Sequence, residues 1–448
     1  MTTRSDVVVA LATPRGVGAL AIVRASGKGV HALFSNILVP YHKTQPLDRT
    51  PIRVRVMDGN QQFDDAVALY GFDKATYTGE ESVEVTVHGN PLIVDRLLRV
   101  MCRAGAVMAP PGEFTRRALM NGKIDLLAAE SVLAIADAVT DVGVIAARGG
   151  LEGSLREFYL DLRARLLSVG AELEARLDYP ADELAKETDH TLMSELHSIA
   201  SACDAVVSDY KESTAILRGV TIALVGQANV GKSTLFNALV GFERALVHDS
   251  PGTTRDVLEA RLEIDGLMIT LLDTAGEREA TGPIEQAGIA LANKMATQAD
   301  LLLVVVSATA AGVSTKDQQI IKRFQDRKHL VVYNGVDRFG VETSPADVVS
   351  ISAKTGEGVE NLTREMVKQL VGSFNPSAAV ALTSERQRSA LMEVSRTTQE
   401  SASALSSMGV AVSAFLVLEA LSALDDLHGG DPQHDTLTTL FSKFCVGK

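Results

Sequence analysis

The sequence predicts a multidomain protein of mixed class, α/β plus all-α, and three observations predict it. Residues 219–372 alternate short β-branched runs with helical stretches. Ala- and Leu-rich helical stretches flank that region, from Glu113 to Lys211 and again over 378–448. Ahead of them, residues 1–120 carry several short strands and one amphipathic helix. A chain of 448 residues exceeds one ordinary core. The economical organisation is an α+β domain over 1–120, a helical domain made of 121–215 and 378–448, and an α/β domain inserted at 216–377. Such an insertion requires neighbouring ends, which compact domains commonly have.

Composition supports a folded chain, with 46% hydrophobic and 22% charged residues. No apolar run is long enough to cross a bilayer, and the N-terminal residues lack the shape of a signal peptide. The three cysteines, Cys102, Cys203 and Cys445, are far apart and give neither a disulfide framework nor metal-ligand spacing. A reducing cytoplasm and no membrane are the expectation. The net charge of −13 repels polyanions as a whole, so any nucleic acid must meet a local basic patch or a basic partner.

In the first domain, Asp6–Leu11, Ala19–Val23, Ile52–Met57, Ala66–Tyr70 and Val83–His88 read as strands between Gly, Pro and Asp turns. Pro91–Cys102 reads as a helix, with Leu92, Val94, Leu97, Leu98 and Met101 at helical spacing, and Gly105–Gly112 with its paired prolines as a break. Helices are expected over Ile124–Val139, Leu151–Leu177, Thr191–Tyr210, Ser384–Ser407 and Val410–Leu427, with an acidic turn at Asp178-Tyr179-Pro180.

The inserted domain opens on the strand Thr221–Val225, followed by Gly226–Thr234 and then by a helix through Leu235–Val240. Gly-x-x-x-x-Gly-Lys-Ser/Thr in this strand–loop–helix context is a phosphate-binding loop. Its glycines let the backbone approach the ligand, so that N–H groups and the helix N-terminus face a polyphosphate. Asn229, Val230, Gly231, Lys232, Ser233 and Thr234 form the cradle. Lys232 can reach the outer phosphates, and the Ser233 hydroxyl can ligate Mg2+. The polar segment Phe242–Asp256, with His248, Asp249, Ser250, Pro251, Gly252, Thr253 and Thr254, is placed to cover that site, and Thr254 can offer magnesium a second hydroxyl. Strands Leu258–Ile264 and Leu267–Leu272, joined at Asp265-Gly266, lead to Asp273-Thr274-Ala275-Gly276, where Asp273 can hold magnesium through water and the Gly276 amide can sense the outer phosphate.

Strands Leu301–Ser307 and His329–Tyr333 follow. The second runs into Asn334-Gly335-Val336-Asp337, and Val348–Ile351 runs into Ser352-Ala353-Lys354. The Asp337 carboxylate can accept from both the ring N–H and the amino group of guanine, which adenine cannot match, while Asn334 can face the keto oxygen. Together these five elements resemble the guanine-nucleotide signature of the translation-factor class of small GTPases, which implies GTP and a Ras-like P-loop GTPase domain. One position departs from Asn-Lys-x-Asp: Gly335 stands where the lysine packs along the base. Guanine choice is expected to persist with modest affinity.

The flanks carry a second resemblance. ATPRGVGALAIVRASG at the N-terminus, YTGEESVEVTVHGNP, PGEFTRRALMNGKIDLLAAE and the C-terminal FSKFCVGK look like the tRNA-modification GTPase family MnmE (TrmE), over essentially the whole chain. That resemblance implies a folate-binding, dimerising N-terminal domain, a discontinuous helical domain and an inserted G domain. It also implies work with the flavoprotein MnmG, as a homodimer within a hetero-oligomer, adding an aminomethyl or carboxymethylaminomethyl group to the wobble uridine of certain tRNAs. The carbon comes from formyl- or methylene-tetrahydrofolate. Arg24, Glu84, Lys123 and Lys448 match the family's folate positions. Taken alone, Glu84 is an ordinary solvated strand position and Lys123 an exposed loop charge. The family uses K+ where other GTPases use an arginine finger. On that pattern Asn229 is the side-chain ligand, with backbone groups of His248, Ser250 and Thr253. Glu285 matches the glutamate that orients the attacking water, and hydrolysis requires two G domains to meet. The resemblance thus implies Asn229, Lys232 and Glu285 as the catalytic set, and makes Cys445 a functional cysteine, although a cysteine read without it is more often packing.

The alternative from another class is a ribosome-assembly-type GTPase switch without chemistry on RNA. Such proteins usually append a basic RNA-binding module, and neither flank here is strongly basic.

Overall fold

The computed structural model describes residues 6–42, 46–72, 75–178, 187–242, 258–273, 297–307, 313–339, 348–372, 380–429 and 440–447. Two compact units emerge, Met1–Leu133 with Ser422–Lys448, and Ala134–Leu421.

The first unit is built on a seven-stranded sheet of β1 (Val8–Leu11), β2 (Leu20–Ser26), β3 (Leu38–Pro40), β4 (Pro51–Asp58), β5 (Gln61–Gly71), β6 (Ser82–His88) and β7 (Val107–Met108). Its order is β3-β4-β5-β6-β2-β1-β7, antiparallel except where β7 runs parallel to β1. The helices are α1 (Val30–Leu33), α2 (Pro91–Arg103), α3 (Glu113–Met120) and α4 (Leu126–Asp137) as far as Leu133. Strict alternation sends Val9, Val23, Val54, Val83, Val85 and Val87 to one face, where Val94, Leu97, Leu98 and Met101 of α2 cover them. α2 starts at Asn90, whose side chain accepts from Leu92 N, with Pro91 at the first helical position. The break expected over Gly105–Gly112 hides β7, too short to show a period. α3 begins directly after that break.

The second unit carries α5 (Asp141–Glu152), α6 (Ser154–Asp178), α7 (Glu187–Ser208), α8 (Tyr210–Arg218), β8 (Val220–Val225), α9 (Lys232–Phe242), β9 (Leu258–Ile264), β10 (Leu267–Asp273), β11 (Leu301–Ser307), α10 (Thr315–Arg323), β12 (His329–Asn334), α11 (Val336–Phe339), β13 (Val348–Ile351), α12 (Val359–Val371), α13 (Glu385–Ser407) and α14 (Val410–His428) as far as Leu421. The helical stretches from either side of the insertion meet, α13 against α7. Ser395 Oγ donates to Asp204 Oδ1 at 2.6 Å, and Gln399 Nε2 to Asp204 Oδ2 at 3.2 Å.

The inserted domain is a six-stranded sheet ordered β13-β12-β11-β8-β10-β9, parallel except for the β9–β10 hairpin, the arrangement of a Ras-like P-loop domain. Both faces are covered at the centre, so β8 and β11 are almost continuously apolar, while β9 alternates with Glu259, Arg261 and Glu263. Ile222, Leu224, Leu303 and Val305 pack in one cluster, and Ala223, Val225, Leu302 and Val304 in another. The carboxyl ends of β8, β10, β12 and β13 therefore share one edge, where open α/β sheets bind ligands.

Candidate nucleotide site and a cation-lined cavity

The loop after β8 is held in a phosphate-cradling shape by its backbone and by the side chain of Asn334. Asn229 sits at φ 63 and Gly231 at φ 93, both in the left-handed region. A Cβ on Gly231 would lie 2.2 Å from Asn334 Nδ2, so only glycine fits there. Asn334 ends β12 and joins two loops. Its Nδ2 donates to Val230 O at 2.9 Å, and its Oδ1 accepts from Ala353 N at 2.9 Å. Val230 is buried, while Asn229, Ser233 and Thr234 are exposed.

Lys232, the first residue of α9, is 7% exposed, and its Nζ donates to Gly226 O at 2.9 Å and Gln227 O at 2.6 Å. Burial pulls its pKa below the ordinary lysine value, opposed by the charge of Asp273. Asp273 ends β10, in register with Leu224, and is fully buried. An oxygen donor set of Ser233 and Asp273 beside a polyphosphate suits Mg2+.

At the base end, Gly335 adopts φ 100, and its N–H donates to Ile351 O at 2.9 Å. Asp337 is exposed at the start of α11. Ser352 is buried and its Oγ accepts from Thr355 N at 3.2 Å. Ala353 is buried as well, and Lys354 is exposed. The structure thus gathers Val230–Thr234, Asp273, Asn334, Asp337 and Ser352–Lys354 at one sheet edge. His248, Asp249, Ser250, Pro251, Gly252, Thr253, Thr254, Thr274, Ala275, Gly276 and Glu285 lie outside the described residues.

In the first unit the sheet face opposite α2 holds a cavity of about 140 Å³ lined by Arg24, Arg49, Tyr77, Thr78, Glu84 and Phe114 among others. Register creates its polar pair, because Arg24 on β2 stands opposite Glu84 on β6, which stands opposite Leu69 on β5. Arg24 Nε donates to Glu84 Oε1 at 2.8 Å, and its Nη1 to Gly447 O at 3.3 Å. The guanidinium lies 5.7 Å from the Phe114 ring centroid. Gly447 has φ 96, and a Cβ there would lie 2.5 Å from Leu11 O, so the segment 440–447 fits against β1 only with glycine at this point. Beside the cavity, Ser26 Oγ lies 2.7 Å from Thr78 Oγ1, and buried Arg117 donates to Glu80 Oε2 at 2.8 Å and Glu113 Oε1 at 2.9 Å. Lys123 is exposed, with its stem beside Gly79, and Cys445 is exposed. Lys448 lies outside the described residues.

Sequence reading passed over Arg49, Tyr77 and Phe114 in this lining. It also passed over Gln227, whose side chain reaches Asp317 and Ser314. Ser314-Thr315-Lys316-Asp317 carries a helix-start pattern that could have marked α10, but nothing local marks Gln227. Among the described residues, no helix is long and apolar enough to cross a membrane, and no cluster of His, Cys, Asp and Glu could hold a metal by itself.

A family described as "MnmE helical domain" matches residues 126–445, and one described as "GTP-binding protein TrmE N-terminus" matches residues 7–123. A "tRNA modification GTPase MnmE" of Myxococcus xanthus is 38% identical over 453 residues, spanning 100% of both chains. Its counterpart in Thermotoga maritima is 35% identical over 457 residues, spanning 99% of this chain and 100% of the other. That of Aquifex aeolicus is 33% identical over 447 residues, spanning 98% and 99%. Among solved structures, the G domain of the T. maritima FeoB iron transporter is 25% identical with a TM-score of 0.27, covering 34% of this chain and 98% of that chain. Era of A. aeolicus bound to GDP and AlF4− is 24% identical with a TM-score of 0.27, covering 40% and 66%.

Proposed function

The chain belongs to the tRNA modification GTPase MnmE family, and from that premise we propose that it binds and hydrolyses GTP to drive modification of tRNA. The observation that carries this is the double tie of Asn334, which sets the base-reading residues Asp337 and Ser352–Lys354 at a fixed distance from the phosphate loop. A site built this way selects guanine through Asp337, places Lys232 against the outer phosphates and presents Ser233 to a metal. Mg2+, held by Ser233 and Thr254 with Asp273 behind, supplies charge neutralisation at the phosphates.

The finer reading follows family membership. K+ is held by the Asn229 side chain and by backbone groups of His248, Ser250 and Thr253, Glu285 orients the attacking water, and two copies meet through their G domains. The cavity at Arg24 and Glu84 takes the folate, and family membership adds Lys123 and Lys448 as further cations for it. An arginine against a carboxylate beside an aromatic ring offers complementary partners to a pterin and to an acidic tail. Carbon transfer to the wobble uridine proceeds with MnmG, and Cys445 stands exposed for a part in it.

Nucleotide titration followed by hydrolysis assays in potassium and in sodium tests the reading. Preference for GTP over ATP and XTP, with turnover strongly favoured by potassium, is expected. A preference for ATP removes the GTPase assignment, and equal rates in the two salts remove the potassium mechanism.

A further inference from the structure

Gln227, the second residue of the phosphate loop, reaches the start of α10. Its Nε2 donates to Asp317 Oδ1 at 2.6 Å and approaches Ser314 Oγ at 3.3 Å. Ser314 is the N-cap of α10. Its hydroxyl accepts from Asp317 N at 3.1 Å and donates to Asp317 Oδ2 at 2.8 Å. Asp317 is 3% exposed, so a buried carboxylate has one oxygen engaged by the cap and the other by the phosphate loop. The positive end of α10 accounts for tolerance of the charge. Helix capping alone needs only Ser314 and the Asp317 backbone. The reach of Gln227 across 90 positions of sequence is a separate investment.

The backbone carbonyl of the same Gln227 accepts from Lys232 Nζ at 2.6 Å. One residue therefore holds the phosphate-binding lysine through its carbonyl and is itself fixed through its amide. We infer that Gln227 and Asp317 are positioning residues for GTP turnover. They anchor the leading end of the phosphate loop to α10 and so set where Lys232 stands, while Asn334 anchors the trailing end at Val230. In this chain the base clamp lacks a lysine, because Gly335 occupies that position. The Gln227 anchor takes over part of the bracing. The inference rests on GTP hydrolysis by this domain and is independent of potassium and folate.

A charge-swap series on the full-length chain tests it, with guanine-nucleotide affinity, KM and kcat measured for each variant beside its melting temperature. Gln227→Glu sets two carboxylates against each other. It should raise Kd and KM for GTP by about tenfold or more, the equivalent of about 1.4 kcal/mol, with a smaller change in kcat and a lowered melting temperature that leaves the chain folded at the assay temperature. Asp317→Asn alone should lose less, because an amide oxygen still accepts from Gln227. Gln227→Glu combined with Asp317→Asn restores a donor–acceptor pair and should return Kd to within about threefold of wild type. A double variant as weak as Gln227→Glu, or a Gln227→Glu variant with wild-type affinity, overturns the anchor. A wild-type chain that binds no guanine nucleotide overturns this inference and the GTPase reading together.

Discussion

Asn334 does two jobs with one amide, donating to Val230 O and accepting from Ala353 N. Asn334→Ala leaves both groups without a partner and allows the two loops to drift apart. Nucleotide titration calorimetry should show GTP affinity falling by about tenfold or more. Glu113, 2% exposed, shows a different balance. Burial pushes its carboxyl up, but hydrogen bonds and charge from Arg116 and Arg117 more than reverse that and leave its pKa below the ordinary value. Such a group stabilises the fold above its unfolded pKa, and that contribution is lost as pH falls through the lower folded value. Glu113→Gln should flatten the acid limb of a stability–pH curve and lower stability at neutral pH by about 3 kcal/mol, since it breaks a buried pair. The cysteines separate by environment. Burial, with the Asp204 charge, pushes the Cys203 thiol up to about 12, Cys102 is raised by burial, and Cys445 is exposed. A chromogenic disulfide reagent at neutral pH should therefore label Cys445 first and Cys203 only on unfolding. At this scale, sequence marked Lys232 and Asn334 by their motifs, but it set Asn334 against the guanine keto oxygen, whereas the amide is tied to Val230 O and Ala353 N. It did not reveal Gln227, because a glutamine after a strand has no preferred partner and its own is in a helix far along the chain.

Elements whose faces alternate or repeat were the readable ones. Val83–His88 and Pro91–Cys102 announce a half-buried strand and an amphipathic helix, and β6 and α2 occupy nearly those limits. Short pieces have too few residues for a period, so β3, β7 and α1 emerge only from pairing and packing. α10 and α12 escaped for another reason, since an α/β domain's helices are inferred from what separates its strands. The packing of α13 on α7 is an element-scale property with a specific handle at Asp204. Asp204→Ala removes the acceptor used by Ser395 and Gln399 and should cost about 1–2 kcal/mol in denaturant unfolding. If the melt is unchanged, the apolar contacts of the pair suffice without it.

For the whole molecule, an insertion was visible as a change of pattern, strands and helices between two helical stretches. The assignment of Ser422–Lys448 to a unit with Met1–Leu133 was not, because nothing in a short C-terminal stretch names its distant seat. That seat is specific: Gly112 faces Phe441 with 2.8 Å between a built Cβ and Phe441 O, and Gly447 faces Leu11 O. Gly447→Ala should release this segment. Its expected signature is faster amide exchange across β1 and β2, together with weaker binding of a reduced folate probe in the Arg24 cavity. Unchanged exchange would show that the segment tolerates the added methyl group.

The same seat sets an order of manufacture. During synthesis Met1–Leu133 leaves the ribosome first, yet the segment that supplies Gly447 to Arg24 is translated only after all of Ala134–Leu421. Domains generally fold as they emerge, so the first sheet to form waits without the C-terminal segment that packs on it while the rest of the chain is made. A nascent chain stalled anywhere in between has the residues that line the Arg24 cavity but not the Gly447 carbonyl that Arg24 meets. The Arg24–Gly447 contact thereby forms only once the distal segment has been made.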